Sequence, residues 1–139
     1  MDTIDELRAT VAPLLDDAGV RFSYLFGSRA GGRASEGSDV DIAVSFDPSI
    51  PPETRGDRLL RLGTRLERAL QTPVDLVDLA DAPFRLAGRI VTERVVLTGH
   101  DQPDRVRFEE QTLPLYLDVR YHADRLDQLL LAEMASGRR

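Results

Sequence analysis

The 139-residue chain contains no cysteine, no tryptophan and no lysine. Without cysteine it cannot form disulfides, thiolate nucleophiles, zinc–thiolate sites or iron–sulfur clusters. Because all 18 basic residues are arginine, mechanisms that need a lysine, such as the P-loop lysine or a Schiff base, are excluded as well. No apolar run approaches the ~20 residues that cross a bilayer, and the acidic start lacks the parts of a signal peptide. We therefore expect no membrane partner and a cytoplasmic location.

Acidic residues outnumber basic ones. The chain has 24 acidic and 18 basic residues, which give a formal net charge of −6. Since non-specific nucleic-acid binding depends on positive charge, direct nucleic-acid binding is not expected. The hydrophobic fraction of 42% and the charged fraction of 30% are typical of a folded domain, and the length is sufficient for one domain with its own core.

Hydrophobic periodicity predicts alternating helices and strands. Thr3 and Glu6 form a capping-box pattern, and Gly19 is a typical helix stop. The predicted elements are a helix of about four turns after Thr3, strands over 20–26 and 39–46, a helix over 55–70, a strand over 74–79, a short helix from 82 to about 90, a strand over 94–99, and a mainly helical segment over 104–134 with a kink or break at Pro114. This order predicts an α/β (α+β) fold, a small mixed sheet of about four strands with flanking helices. We divide the chain into a core domain, 1–100, and a C-terminal helical segment, 101–139.

Two carboxylates stand at the start of the second predicted strand. Side chains alternate along a strand, so Asp39 and Asp41 project from the same face. Their negative charges repel each other and would raise a pKa in a buried site. A divalent cation relieves that repulsion, and oxygen-only ligands suit magnesium or manganese.

A possible phosphate site precedes these carboxylates. Glycine at position 27 allows close approach of the backbone to a ligand, and Ser28 offers a hydroxyl beside free backbone N–H groups, which suit a phosphate. Arg29 and Arg33 add positive charge. Ten residues separate Ser28 from Asp39, so a phosphate cradle and a metal pair lie close together along the chain.

This block, from Leu25-Phe26-Gly27-Ser28-Arg29-Ala30 to Ser38-Asp39-Val40-Asp41-Ile42-Ala43-Val44, resembles the signature of the DNA-polymerase-β-like nucleotidyltransferase superfamily. It is most similar to the minimal nucleotidyltransferase (MNT) branch, whose antitoxins pair with HEPN-domain toxins. The resemblance extends over residues 4–98. It implies the palm-like nucleotidyltransferase fold, and it departs from many relatives at Gly31, where they carry a second basic residue that Arg33 could replace.

The resemblance also implies residue roles. Asp39, Asp41 and a third acidic residue would be catalytic and would hold two Mg²⁺ ions, with ATP as the substrate. Asp75 and Asp78 are both candidates for the third position, and the apolar–acidic–apolar pattern around Asp75 favours it. The nucleotide-binding residues would be Gly27, Ser28, Arg29 and Ser38.

The function implied by the resemblance is transfer of AMP from ATP to a tyrosine hydroxyl of a HEPN ribonuclease toxin, which neutralises the toxin. The short chain leaves no second domain for an acceptor pocket, so a hetero-oligomer with the toxin is expected. Two alternatives stay open: an antitoxin that acts by complex formation alone, and an aminoglycoside-type nucleotidyltransferase that modifies a small molecule.

The C-terminal segment carries more apolar residues than one buried face requires, which indicates a core contact on one side and a partner surface on the other. The alternative is a helix that lies deeper in the fold. Its two stripes are Leu115, Val119, Leu126, Leu130 and Leu117, Tyr121, Leu129, Leu131. The arginine-rich helix over 55–70 is interpreted as a solvated, ion-paired face. His100 is expected in a loop, and His122 is expected to be structural or interfacial.

Overall fold

The computed structural model describes residues 3–31 and 39–137. Within these ranges the chain forms four helices and four strands, in the predicted order. They are α1 (Ile4–Asp17), β1 (Val20–Phe26), β2 (Val40–Phe46), α2 (Pro52–Leu70), β3 (Val74–Asp78), α3 (Phe84–Glu93), β4 (Val95–Thr98) and α4 (Pro103–Ala135).

The first helix begins and ends where local chemistry dictates. The Thr3 hydroxyl accepts the backbone N–H of Glu6 at 3.0 Å, so it caps the N-terminus of α1. After the helix, Gly19 adopts φ +83°, a conformation that costs glycine little. The predicted cap and stop signals are therefore both confirmed.

The four strands form one mixed sheet in the order β3-β2-β1-β4. β1 is antiparallel to both β2 and β4, whereas β2 is parallel to β3. A parallel pair needs a crossover connection, and α2 supplies it. The expected small mixed sheet is confirmed, and its central strands are the two that flank the Gly27–Asp39 segment.

Helices cover both faces of the sheet. One face packs against α1 and α2 through side chains such as Leu15, Ile42 and Leu66. The opposite face packs against α3 and the start of α4 through Tyr24 and Phe108, among others. Because side chains alternate along β2, the buried Ala43 shares this second face with Asp41.

Pro114 lies inside α4, which is one continuous helix of 33 residues. The prediction that the helix breaks at Pro114 was therefore wrong. Proline removes one helical hydrogen bond, to the carbonyl four residues earlier. Pro114 and Glu110, which bears that carbonyl, are both exposed, so water can satisfy the freed oxygen.

The first half of α4 is part of the packed body of the protein. Glu109 accepts a hydrogen bond from the Tyr24 hydroxyl at 2.8 Å and forms ion pairs with Arg94 and Arg105. From Leu117 onward nearly every α4 residue is exposed. All eight residues of the two predicted stripes are at least 39% exposed, so the expected core contact along one of them was wrong. The helix, roughly 50 Å long at 1.5 Å per residue, thus projects well beyond the sheet. In the described ranges no helix combines the length and apolar character of a membrane span.

Candidate active site

Three carboxylates lie near one end of the adjacent strands β2 and β3. In the sheet register, Asp41 of β2 lies opposite Phe26 of β1 and beside Asp75 of the parallel strand β3. Adjacent strands are about 4.8 Å apart, so the two aspartates are direct neighbours. Asp39 immediately precedes β2, two residues from Asp41 and therefore on the same side of the strand.

The electrostatics of Asp41 reflect this crowding. Its pKa is raised above the ordinary value, first by partial burial, then by the negative charges of Asp75 and Asp39. The Arg89 guanidinium opposes the shift, and Glu93 adds to it. A carboxylate destabilised in this way gains from a bound cation.

The donor set suits magnesium. Carboxylate oxygens are hard ligands, and Mg²⁺ is commonly held by one or two carboxylates together with substrate phosphates rather than by a closed protein cage. Among the described residues, no group of three acidic, histidine or cysteine side chains is arranged so that it could hold a metal ion by itself. Asp39, Asp41 and Asp75 are the side chains here that could contribute oxygen ligands to such an ion.

The corner after β1 requires glycine for two reasons. Gly27 has φ +75°, which disfavours any residue with a Cβ. A Cβ at this position would also collide with the Oδ2 atom of Asp41. The backbone of the corner is thus packed directly against the half-buried carboxylate.

The residues that follow Gly27 form a tight turn, with the Gly31 N–H donating to the Gly27 carbonyl at 3.3 Å. Ser28 and Arg29 lie on this turn and are half-buried. The turn is therefore adjacent to the carboxylates, as a phosphate cradle would need to be. Arg33 and Ser38 lie outside the described residues.

Asp78 has a different environment from Asp75. It is 6% exposed, forms an ion pair with Arg55 at 3.7 Å, and accepts the Ala80 N–H at 2.9 Å. In the register it neighbours Val44 rather than an acidic residue. Asp78 thus links α2 to the turn after β3, and the geometry favours Asp75 as the third carboxylate.

Two residues of α3 at this site were missed by the sequence analysis. Glu93 accepts the Gly27 N–H at 3.2 Å, and Arg89 donates its Nε–H to the same carboxylate at 3.2 Å. The available signal was an acidic residue at the C-terminal end of a helix, where the helix dipole disfavours it.

The remaining candidates lie elsewhere. His100 is exposed in the turn after β4, and His122 lies on the exposed part of α4, 3.5 Å from Asp118. Two of the α2 arginines form exposed ion pairs, Arg61 with Asp57 and Arg65 with Asp17, as the interpretation of that helix face expected. None of these residues contributes to the acidic site.

Comparison with known proteins agrees with the geometry. Residues 10–103 match the family described as "Polymerase beta, Nucleotidyltransferase". The chain is 37% identical over 93 residues to the protein adenylyltransferase MntA of Shewanella oneidensis. That alignment covers 67% of this chain but 63% of the relative, slightly less than two thirds of its length.

Several of the solved structures that match this fold are toxin–antitoxin complexes. A crystal structure of a toxin–antitoxin with AMP-PNP matches with a TM-score of 0.69 at 28% identity, over 89% of this chain and 98% of that one. A complex of a tri-AMPylated Shewanella oneidensis HEPN toxin with an MNT antitoxin matches with a TM-score of 0.65 at 26% identity, over 91% and 98%. The fold, the matched sequence and the family model agree, and the chain belongs to the polymerase beta nucleotidyltransferase family.

Proposed function

We propose that this protein is an adenylyltransferase antitoxin, which transfers AMP from ATP to a tyrosine hydroxyl of a HEPN toxin. The observation that carries the proposal is the juxtaposition of Asp41 and Asp75, neighbours in the parallel register, with the Gly27 corner packed against Asp41. The relatives support the nucleotide and the partner: one is named a protein adenylyltransferase, and one solved complex holds a tri-AMPylated HEPN toxin.

In the proposed reaction the acceptor oxygen attacks the α-phosphorus of ATP. The new O–P bond replaces the bond between the α-phosphorus and the bridging oxygen, and pyrophosphate leaves. The turn from Gly27 to Arg29 would bind the β- and γ-phosphates, while Asp75, the most exposed of the strand carboxylates, would accept the hydroxyl proton. Magnesium, when bound by Asp39, Asp41 and Asp75, supplies positive charge to the triphosphate and lowers the pKa of the acceptor hydroxyl. We place this reaction in the cytoplasm, where ATP is supplied.

The toxin would dock on the C-terminal half of α4, within the segment 101–139. Monomeric proteins rarely expose large continuous apolar surfaces, yet this half-helix exposes leucines that are 47–63% accessible. They are Leu117, Leu126, Leu129, Leu130 and Leu131. Such a helix, held to the catalytic core by its first half, would carry the acceptor protein to the acidic site.

The test uses ATP labelled on the α-phosphate, magnesium and lysate from the source cells. The wild-type protein should label one protein band, which mass spectrometry should identify as a HEPN protein carrying AMP on tyrosine. Asp41→Ala should abolish the label. Asp57→Ala, which removes an exposed carboxylate of α2, is the matched control and should label normally.

Other outcomes would contradict the proposal in distinct ways. Pyrophosphate release without a labelled protein would indicate a small-molecule acceptor. If neither label nor pyrophosphate is detected while a toxin still co-purifies, the protein neutralises its partner by complex formation alone.

A further inference from the structure

The contacts of Glu93 extend the proposed site into α3. This residue ends the helix, and its two carboxylate oxygens have different partners: Oε2 accepts the Gly27 N–H, and Oε1 accepts the Arg89 Nε–H, both at 3.2 Å. The side chain is 26% exposed. Glu93 therefore connects α3 to the corner whose backbone is packed against Asp41.

Local helix energetics do not explain this arrangement. A carboxylate in the last turn faces the negative end of the helix dipole, which destabilises the helix. The pair is also in the less favourable order, since Arg89 precedes Glu93 by four residues, and helices prefer the acidic residue first. Two choices that weaken α3 on its own indicate that Glu93 serves a contact outside the helix.

The charges around Asp41 also indicate that Glu93 serves a contact outside α3. Glu93 adds negative charge near Asp41, which already has Asp39 and Asp75 beside it. A carboxylate that only stabilised the fold would be poorly placed there. Arg89 partly compensates, since it forms an ion pair with Glu93 and acts on Asp41 with the opposite sign.

We propose that Glu93 is a positioning residue of the nucleotide site: its carboxylate fixes the Gly27 amide and thereby sets the phosphate-binding turn against Asp41. Arg89 holds the Glu93 side chain in this orientation. The inference rests on the proposed nucleotidyl transfer and deepens it, because it names the residue that holds the corner in place beside the carboxylates. Glu93 itself touches neither phosphate nor acceptor.

Two substitutions of Glu93 distinguish the reach of its hydrogen bond from its charge. In Glu93→Gln the amide oxygen still accepts the Gly27 N–H, although the negative charge is lost. In Glu93→Asp the charge is kept, but the side chain is one methylene shorter and no longer reaches the amide. We expect Gln to keep the KM for ATP within about threefold of wild type and Asp to raise it about three- to tenfold, the worth of one hydrogen bond. The kcat should change less than KM in both.

The measurement is transfer of labelled AMP to the purified toxin at a series of ATP concentrations, below the melting temperature of each variant. Glu53→Gln, on the exposed first turn of α2, is the control and should match wild type. A parallel titration with α,β-methylene ATP and magnesium, in which the bond to be broken is blocked, reports nucleotide affinity without the reaction.

The outcomes distinguish the two proposals. If Glu93→Asp retains the wild-type KM, or if Gln loses affinity while Asp keeps it, the positioning role is overturned. If the wild-type protein transfers no AMP, the proposed function fails. The titration with the blocked nucleotide still decides whether Glu93 positions the corner.

Discussion

At the scale of single residues, the site combines a carboxylate that its neighbours destabilise with a glycine backbone packed against it. Asp41 is crowded by Asp39 and Asp75, which together with burial raise its pKa, and Gly27 packs against its carboxylate group. Such strain is often retained at functional sites because it disappears when a ligand binds. Without a bound cation, the repulsion at Asp41 should therefore lower the free energy of unfolding of the protein.

The first prediction concerns Asp41→Asn. Because the folded-state pKa of Asp41 is raised, the native state binds the proton more tightly than the unfolded state. The free energy of unfolding therefore falls as pH rises from the ordinary aspartate pKa through the raised pKa of the folded state. We expect the variant to melt at a higher temperature than wild type at pH 7 without metal. This gain should vanish as pH falls below the ordinary aspartate pKa of 3.8.

Thermal melts across this pH range, with and without magnesium, check the prediction. Transfer activity should fall by at least about a thousandfold, since metal-assisted charge stabilisation contributes several kcal/mol to the transition state. An Asn variant that is less stable than wild type at neutral pH and equal to it in acid would show that Asp41 is not electrostatically strained.

A second prediction concerns Gly27→Ala. The left-handed φ of +75° costs a residue with a Cβ about 1–2 kcal/mol, and the methyl group would displace the Asp41 carboxylate. We expect a loss of stability of that size and loss of transfer. Gly56→Ala is the control, since a Cβ there meets nothing within 4 Å. Urea denaturation compares both with wild type, and equal behaviour of the two variants would contradict the argument.

At the scale of elements, the position of α3 depends on how closely α4 approaches it. Gly88 allows this approach: a Cβ there would overlap the Tyr116 ring, which also packs edge-on against Phe84 at 6.3 Å. Since α3 ends at Glu93, a displacement of this helix would also disturb the contact to Gly27. Packing between two helices is thus linked to the geometry of the corner.

The third prediction follows from that packing. Gly88→Ala forces the two helices apart and should cost about 1–3 kcal/mol, as overpacking does. The same substitution at Gly63 of α2, where the nearest atom is 3.9 Å away, should instead stabilise by about 0.5–1 kcal/mol through helix propensity. Opposite shifts in the urea midpoint are expected, and a stabilising Gly88→Ala would refute the close contact.

At the scale of the whole molecule, the body that holds the site and the projecting half of α4 differ in what stabilises them. The sheet and its four covering helices share buried side chains. In contrast, the last part of α4 contributes almost nothing buried to the fold. Changes there should alter association rather than stability.

The fourth prediction tests this separation with the double variant Leu126→Glu and Leu130→Glu. Both side chains are at least 50% exposed, so the melting temperature and nucleotide affinity should stay close to wild type. Association with the toxin should weaken at least tenfold, measured by co-purification and titration. Leu60→Glu, at a leucine of α2 that is 73% exposed, is the control and should bind normally. Unchanged toxin binding by the double variant would locate the interface elsewhere.

The sequence by itself determined the features that depend on neighbouring residues. Alternating apolar residues defined β1 and β2, Thr3 and Gly19 delimited α1, and the spacing from Gly27 to Asp41 indicated the candidate site. These signals are local, because capping, alternation and turn chemistry act over a few residues.

Only the tertiary structure decided which distant residues join them. The sequence favoured Asp75 over Asp78 only by its local pattern. The parallel pairing of β2 with β3 brought Asp75 beside Asp41, while Asp78 paired with Arg55. Glu93 reached Gly27 over a separation of 66 residues, and Pro114 stayed within one helix because its surroundings are exposed. Such contacts depend on strand order and helix packing, which are set by burial across the whole chain rather than by any short pattern.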